Sequence, residues 1–172
     1  MSTLLVRLNQ IKAQCDLAWL TPSQQQVWAR LHEQLAFGET VNLYGAVGCG
    51  KTFLAWLFVK QANATYIASR QAIPVKTNEA LLVIDNHPDS REAYRESLKT
   101  LAYQHQRATV LISRMAIRDD CYRVQLLLTQ TELAPVYQRL VLLEPTLPPP
   151  RSMSLHHLFN PDLPLIGENQ HE

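Results

Sequence analysis

Residues 45–52, Gly45-Ala46-Val47-Gly48-Cys49-Gly50-Lys51-Thr52, match the spacing G-x-x-x-x-G-K-[ST] at every fixed position. The pattern has a direct physical reading. Gly45, Gly48 and Gly50 let the backbone curl so that several N–H groups point inward, and the start of the following helix adds positive potential. Lys51 then reaches the β- and γ-phosphates of a nucleotide, and the Thr52 hydroxyl is a ligand for Mg²⁺. The expected ligands are therefore a nucleotide and Mg²⁺, with Gly45, Ala46, Val47, Gly48, Cys49, Gly50, Lys51, Thr52 and Phe53 around the nucleotide. Cys49 occupies a variable position and reads as a spacer rather than a nucleophile. No guanine-reading N-K-x-D stretch is present in the chain.

A phosphate loop needs a second carboxylate to hold its metal. The run "LLVID" supplies Asp85 at the end of an apolar stretch, which makes Thr52 and Asp85 the expected metal pair. Asn86 stands where many hydrolases of this kind carry a water-activating glutamate. An amide cannot take a proton, so Asn86 can only orient a water. Asp89 is the fallback base, although its first reading is as the cap of the next helix. The run "TVLIS" ends in Ser113-Arg114, a polar tip placed to touch a γ-phosphate or an attacking water. Arg139, read as preceding the last strand, is a candidate to reach the nucleotide of a neighbouring subunit, with Arg118 and Arg123 as rivals.

The elements that must position these groups alternate. Residues 3–17 read as an amphipathic helix with Leu4, Leu5, Leu8 and Ile11 on one face. Thr21 and Pro22 open a second helix with Val27, Leu31 and Leu35 inward, ended by Gly38. "TVNLY", "TYIAS", "ALLVID", "TVLIS" and "RLVLLEP" read as five strands. Helices follow Lys51, start near an Asp89–Glu92 cap with Tyr94, Leu98 and Leu101 on one side, and span 119–138 with a break near Pro135. Nearly all-apolar strands alternating with helices imply a parallel sheet covered on both faces, a three-layer α/β domain. Ligands of such sheets gather at the carboxyl ends of the strands.

Composition narrows the alternatives. Of 172 residues, 47% are hydrophobic and 18% charged, and the formal net charge is +1, so bulk electrostatics points to neither nucleic acid nor membrane. Arginine makes up 11 of the 16 basic residues. The cysteines Cys15, Cys49 and Cys121 are too few and too scattered for a disulfide framework or a metal cluster, which fits a reducing cytoplasm. The N-terminal "MSTLLVRLNQIKAQ" is neither a signal peptide nor a span. "EPTLPPPRS" is the one compositional break. The chain thus divides into an N-terminal helix (1–20), an ATPase core (21–151) and a tail (152–172), whose "HHLF" is a poor metal site and whose Leu155, Leu158 and Phe159 either pack back or engage a partner.

With these pieces in order, the chain resembles the AAA+ ATPase core. "NLYGAVGCGKTFLA", "LLVIDN" and "RLVLLEPTLPPPR" look most like the replication-initiator and helicase-loader branch of DnaA, Hda and DnaC type. The resemblance covers about residues 20–151. It implies a P-loop fold with a five-stranded parallel sheet in the order 5-1-4-3-2, and ATP with Mg²⁺ as its ligands. It also implies self-association, with Ser113 as a sensor and Arg139 as a finger acting across a subunit boundary. The expected partners are proteins, with DNA engaged indirectly if at all. Three departures go with it: only 21 residues follow Arg151, too few for a helical lid. The connection "RQAIPVKTNEA" is short, and the glutamate after Asp85 is missing. Together they favour slow ATP turnover and a nucleotide-dependent switch or adaptor in DNA replication, transposition or a mobile-element pathway over a motor. "LTPSQQQVW" is also similar to the glutamine motif of superfamily-one helicases, which would make Gln24 an adenine contact; the alternative is an exposed Gln on an amphipathic helix. Two other functions stay open: a small-molecule P-loop kinase using "RMAIRDDCYR" as a lid, and an interaction module that binds nucleotide without hydrolysing it.

Overall fold

The computed structural model describes residues 3–68, 81–103, 108–117, 119 and 121–143. The 70–80 connection, Ser69, Arg118 and the tail beyond 143 lie outside them. In chain order the elements are α1 (Thr3–Gln14), a 3-10 turn (Leu17–Trp19), α2 (Pro22–Ala36), β1 (Thr40–Tyr44), α3 (Lys51–Ala62) and β2 (Thr65–Ile67). They continue with β3 (Leu81–Ile84), α4 (Arg91–Tyr103), β4 (Ala108–Ser113), β5 (Tyr122–Gln125) and α5 (Gln130–Leu143). The five strands form one sheet in the order β2-β3-β4-β1-β5, parallel at each junction. This is the order 5-1-4-3-2 read from the other edge.

The alternation of side chains along each strand divides the core into two layers. Val41, Leu43, Val83, Val110, Ile112 and Val124 face α2 and α3, packing on Val27, Leu31, Leu54, Leu57 and Phe58. Leu82, Ile84 and Leu111 face the other way, against Tyr94, Leu98 and Leu101 of α4. Both strand faces are covered, which is why these strands read as continuous apolar runs.

Local chemistry sets the helix ends. Thr21 accepts from the Gln24 N–H while the Gln24 amide oxygen accepts from the Thr21 N–H, a reciprocal capping box with Pro22 in the first turn. Gly38 follows α2 at φ 77°, a left-handed position suited to glycine. The start of α4 is one residue later than its sequence pattern indicates: Ser90, not Asp89, accepts from the Ala93 N–H at 3.1 Å.

The C-terminal third departs from expectation. Residues 119–138 are not one helix, and "RLVLLEP" is not the fifth strand. The edge position beside β1 is taken by Tyr122–Gln125, whose register pairs Val41 with Tyr122 and Tyr44 with Gln125. Residues 139–143 are the last turn of α5, which runs through Pro135. The reason is packing. Leu133, Val136, Tyr137 and Val141 recur at helical spacing and meet Ile11, Trp19 and Trp56. A short apolar run by itself fits strand and helix equally.

Glu132 fastens α5 to α2. Its carboxylate accepts from the Ser23 N–H (2.6 Å) and hydroxyl (2.8 Å), and from the Thr129 N–H (2.8 Å) and hydroxyl (2.9 Å). Burial pushes the group up. The four donors outweigh it and hold the carboxyl down at about 2, against an ordinary 4.5. Glu132→Gln would turn an amide N–H₂ toward these donors, so chemical denaturation at pH 7 should show a loss of about 1.5–3 kcal/mol. Because the folded-state value is depressed, the carboxylate stabilises fully above 4.5 and loses its effect as pH falls toward 2. The wild-type advantage over the variant should therefore vanish across that acid window.

Candidate functional site

The carboxyl ends of β1, β3 and β4 open onto a cleft of about 520 Å³. The loop between β1 and α3 forms one wall, through Val47, Gly48, Gly50, Lys51 and Thr52; Asp85, Asn86 and His87 beyond β3 form another; Ser113 and Arg114 lie at the tip of β4. Leu8 and Ile11 of α1, with Phe53 and Trp56 of α3, supply an apolar side.

The loop is built by glycine. Gly48 and Gly50 sit at φ 77° and 93°, where a β-carbon is strained. At Gly45 the constraint is space: a β-carbon there would come 2.5 Å from the Leu126 carbonyl oxygen, a backbone atom that cannot swing aside. Gly50 caps α3 without any side-chain hydrogen bond, so the first N–H groups of α3 stay available to an anion. Lys51 Nζ folds over the loop, donating to the Gly45 and Ala46 carbonyls at 2.7 and 2.8 Å. Cys49 turns inward, its Sγ 3.6 Å from Lys51 Nζ. Burial raises its thiol above the ordinary value despite the lysine, consistent with a spacer.

Thr52 and Asp85 meet, the Thr52 hydroxyl donating to Asp85 Oδ2 at 2.7 Å. Oδ2 also accepts from the Tyr66 phenol at 2.9 Å, and Oδ1 from the Asn86 N–H at 2.8 Å. Asp85 is only 3% exposed, and among the described residues its partners are hydroxyls and an amide, with no ion pair to a cation. A buried carboxylate beside a hydroxyl, both hard oxygen donors, is a setting that fits Mg²⁺. Burial first, then the adjacent Asp85 charge, drives the Tyr66 phenol well above its usual range, so it remains a donor.

Asn86 is exposed in a left-handed conformation (φ 51°), its amide donating to the Ala68 carbonyl at 3.2 Å. Ser113 is buried and already engaged. It donates to the Met115 carbonyl at 2.6 Å and accepts from Asn42 Nδ2 at 2.8 Å. Asn42, fully buried in β1, also donates to the Leu111 carbonyl and accepts from the Ile117 N–H. It thereby ties β1 to β4 and to the segment beyond β4.

Of the expected site residues, Gly45, Ala46 and Cys49 lie in the loop behind the cleft lining, and Gln24 and Arg139 lie on other elements outside it. Gln24 is neither an exposed helix residue nor in the cleft: it is buried, with its amide oxygen held in the capping box. Arg139 lies half-buried inside α5 rather than ahead of a strand. Sequence reasoning missed Asn42, Tyr66, His87 and the apolar wall of Leu8, Ile11 and Trp56. His87 is buried, its N–H donating to the Ile112 carbonyl at 2.7 Å and its Nε2 lying 2.9 Å from Ser97 Oγ. A polar residue inside the apolar run "TVNLY" was a visible signal for Asn42. Tyr66 carried none, because its role depends on strand register.

Loop and sheet together define a three-layer α/β P-loop fold with a five-stranded parallel sheet. No family model matches the chain, and no curated protein does. Solved structures do. One is AMPPCP-bound DnaA from Aquifex aeolicus, 17% identical, with a TM-score of 0.50 over 81% of this chain and 57% of that one. A second is a DNA replication initiation factor, 16% identical, TM-score 0.50, covering 69% and 49%. A third is replication initiator DnaA bound to AMPPCP and single-stranded DNA, 16% identical, TM-score 0.47, covering 67% and 49%. The likeness is one of fold, and the chain spans about half the length of the structures it matches. Among the described residues no helix is long and apolar enough to cross a membrane.

Gly45→Ala should displace the loop from β5. Thermal unfolding should show a lower Tm, and titration with Mg-ATP a weaker affinity than wild type; an unchanged affinity would contradict the close approach at Leu126.

Proposed function

We propose that this chain is an ATP-binding, slowly hydrolysing AAA+-type ATPase. In this reading it serves as a nucleotide-dependent assembly switch or adaptor in DNA replication, transposition or a mobile-element pathway. The observation that carries the reading is the Thr52–Asp85 contact at 2.7 Å beside a loop whose helix start has no side-chain cap. Lys51 would leave the Gly45 and Ala46 carbonyls for the phosphates, and the loop amides would hold the remaining oxygens. Thr52 and Asp85 would hold Mg²⁺, which when bound supplies charge neutralisation on the phosphate oxygens.

The residues favour slow turnover. Asn86 stands at the position of a general base but cannot take a proton, so it orients a water at most. Ser113 can donate to a γ-phosphate only by giving up the Met115 carbonyl, which would link occupancy of the site to the exposed segment beyond β4. Arg139 on α5 is the residue we assign to a neighbouring copy's nucleotide, with Arg123 on β5 as its rival. ATP held between copies would join them, and hydrolysis would release them. The replication initiators of the same fold support the choice of pathway. The amide at Asn86 also favours a second reading, a module that binds nucleotide without hydrolysing it. Phosphate release that stays at background with partner and DNA present would select that reading.

Lys51→Ala removes the one ammonium at the loop. Its Mg-ATP affinity, measured by calorimetry, should fall by about 10- to 100-fold, the worth of a charged hydrogen bond. Light scattering with and without Mg-ATP should show assembly in wild type only. Wild-type assembly by this variant would defeat the proposal.

A further inference from the structure

Tyr66 lies on the β2 edge strand, outside the cleft lining, and no expected role of the phosphate loop uses it. Register explains how it arrives at Asp85. Tyr66 pairs with Val83 in the parallel β2–β3 ladder, so its side chain shares the face of Val83 and of Asp85, two residues further on. That face looks toward α3, which carries Thr52 and Trp56. The phenol sends its proton to Asp85 Oδ2, at 2.9 Å. From the outer side the Lys12 ammonium of α1 sits 5.7 Å above the ring.

The result is a pair of donors on one carboxylate oxygen, the Tyr66 phenol from the neighbouring strand and the Thr52 hydroxyl from the loop. With both phenol and hydroxyl protons on Oδ2, the oxygen lone pairs of Thr52 are turned away from Asp85. Rotation of the carboxylate would turn them elsewhere.

We propose that Tyr66 is a positioning residue for the divalent cation: it fixes the Asp85 carboxylate, and through it the Thr52 hydroxyl, in the orientation that Mg²⁺ requires. The inference rests on the nucleotide reading above and adds to it a supporting residue that the loop motif does not contain.

The test is a Mg²⁺ titration of ATP binding, followed by calorimetry or by tryptophan emission, on wild type, Tyr66→Phe and Trp56→Phe. In Tyr66→Phe the Mg²⁺ concentration at half effect should rise by about tenfold, as is usual when a partner of a metal-binding side chain is lost. ATP affinity in excess chelator should stay at the wild-type value. Trp56→Phe leaves the phenol in place but trims an α3 side chain packed on the same core as Tyr66, so its Mg²⁺ midpoint should shift in the same direction by a smaller factor. A wild-type midpoint in both variants overturns the proposal. So does an equal loss of ATP affinity with and without Mg²⁺, which would mean a purely structural role. Should Tyr66→Phe fail to fold, the Trp56→Phe midpoint decides alone. A wild-type chain that binds no ATP in either condition overturns the nucleotide reading itself, an outcome seen in the wild-type arm and independent of the variants.

Discussion

The arrangement of this molecule turns on a single buried carboxylate. Asp85 ends β3 at 3% exposure with no cation beside it among the described residues. A charge in that position is costly unless every lone pair is engaged. Three donors from three directions engage it: a hydroxyl from the loop, a phenol from the neighbouring strand and the N–H of the next residue. Each donor fixes something else in turn. Thr52 sets the start of α3 against β3, Tyr66 locks the β2 edge, and Asn86 takes a left-handed turn that bends the chain out of the sheet.

A second polar node does for the other side of the cleft what Asp85 does for this one. Asn42 is fully buried in β1, yet its amide bonds reach Leu111, Ser113 and Ile117. Such a group is stabilising only when all its bonds are made, and then it specifies one register. Here it aligns β1 with β4, so that the loop leaving β1 and the serine ending β4 open on the same cleft. Glu132 has a third, purely architectural role, joining the first turns of α2 and α5. Among the described residues each of the three is satisfied by dipoles rather than by an ion pair.

Much of this was legible in the residues. The loop motif, the alternation of apolar runs with helical stripes and the carboxylate closing "LLVID" led to the right fold and strand order. The lapses came where local signals were degenerate. "RLVLL" has the composition of a buried strand, and only the contacts of Leu133, Val136, Tyr137 and Val141 with α1 and α3 make it helical. "YRVQ" is short and mostly exposed, and becomes a strand because the edge of β1 offers it partners. Gln24 offered a ligand-reading amide, but a backbone N–H three residues earlier claims it.

What the sequence by itself determined is the chemistry of short range: a glycine-permitted loop, a lysine and a threonine at the start of a helix, and caps at Thr21 and Gly38. These depend on neighbours within a few residues, and their spacing is written in the chain. Tertiary structure alone decided which strand flanks β1, which groups hold Asp85 and how Ser113 is engaged. Tyr66 and Asp85 lie 19 positions apart, Asn42 and Ser113 71, and sheet register, a property of two strands together, brings such pairs into contact.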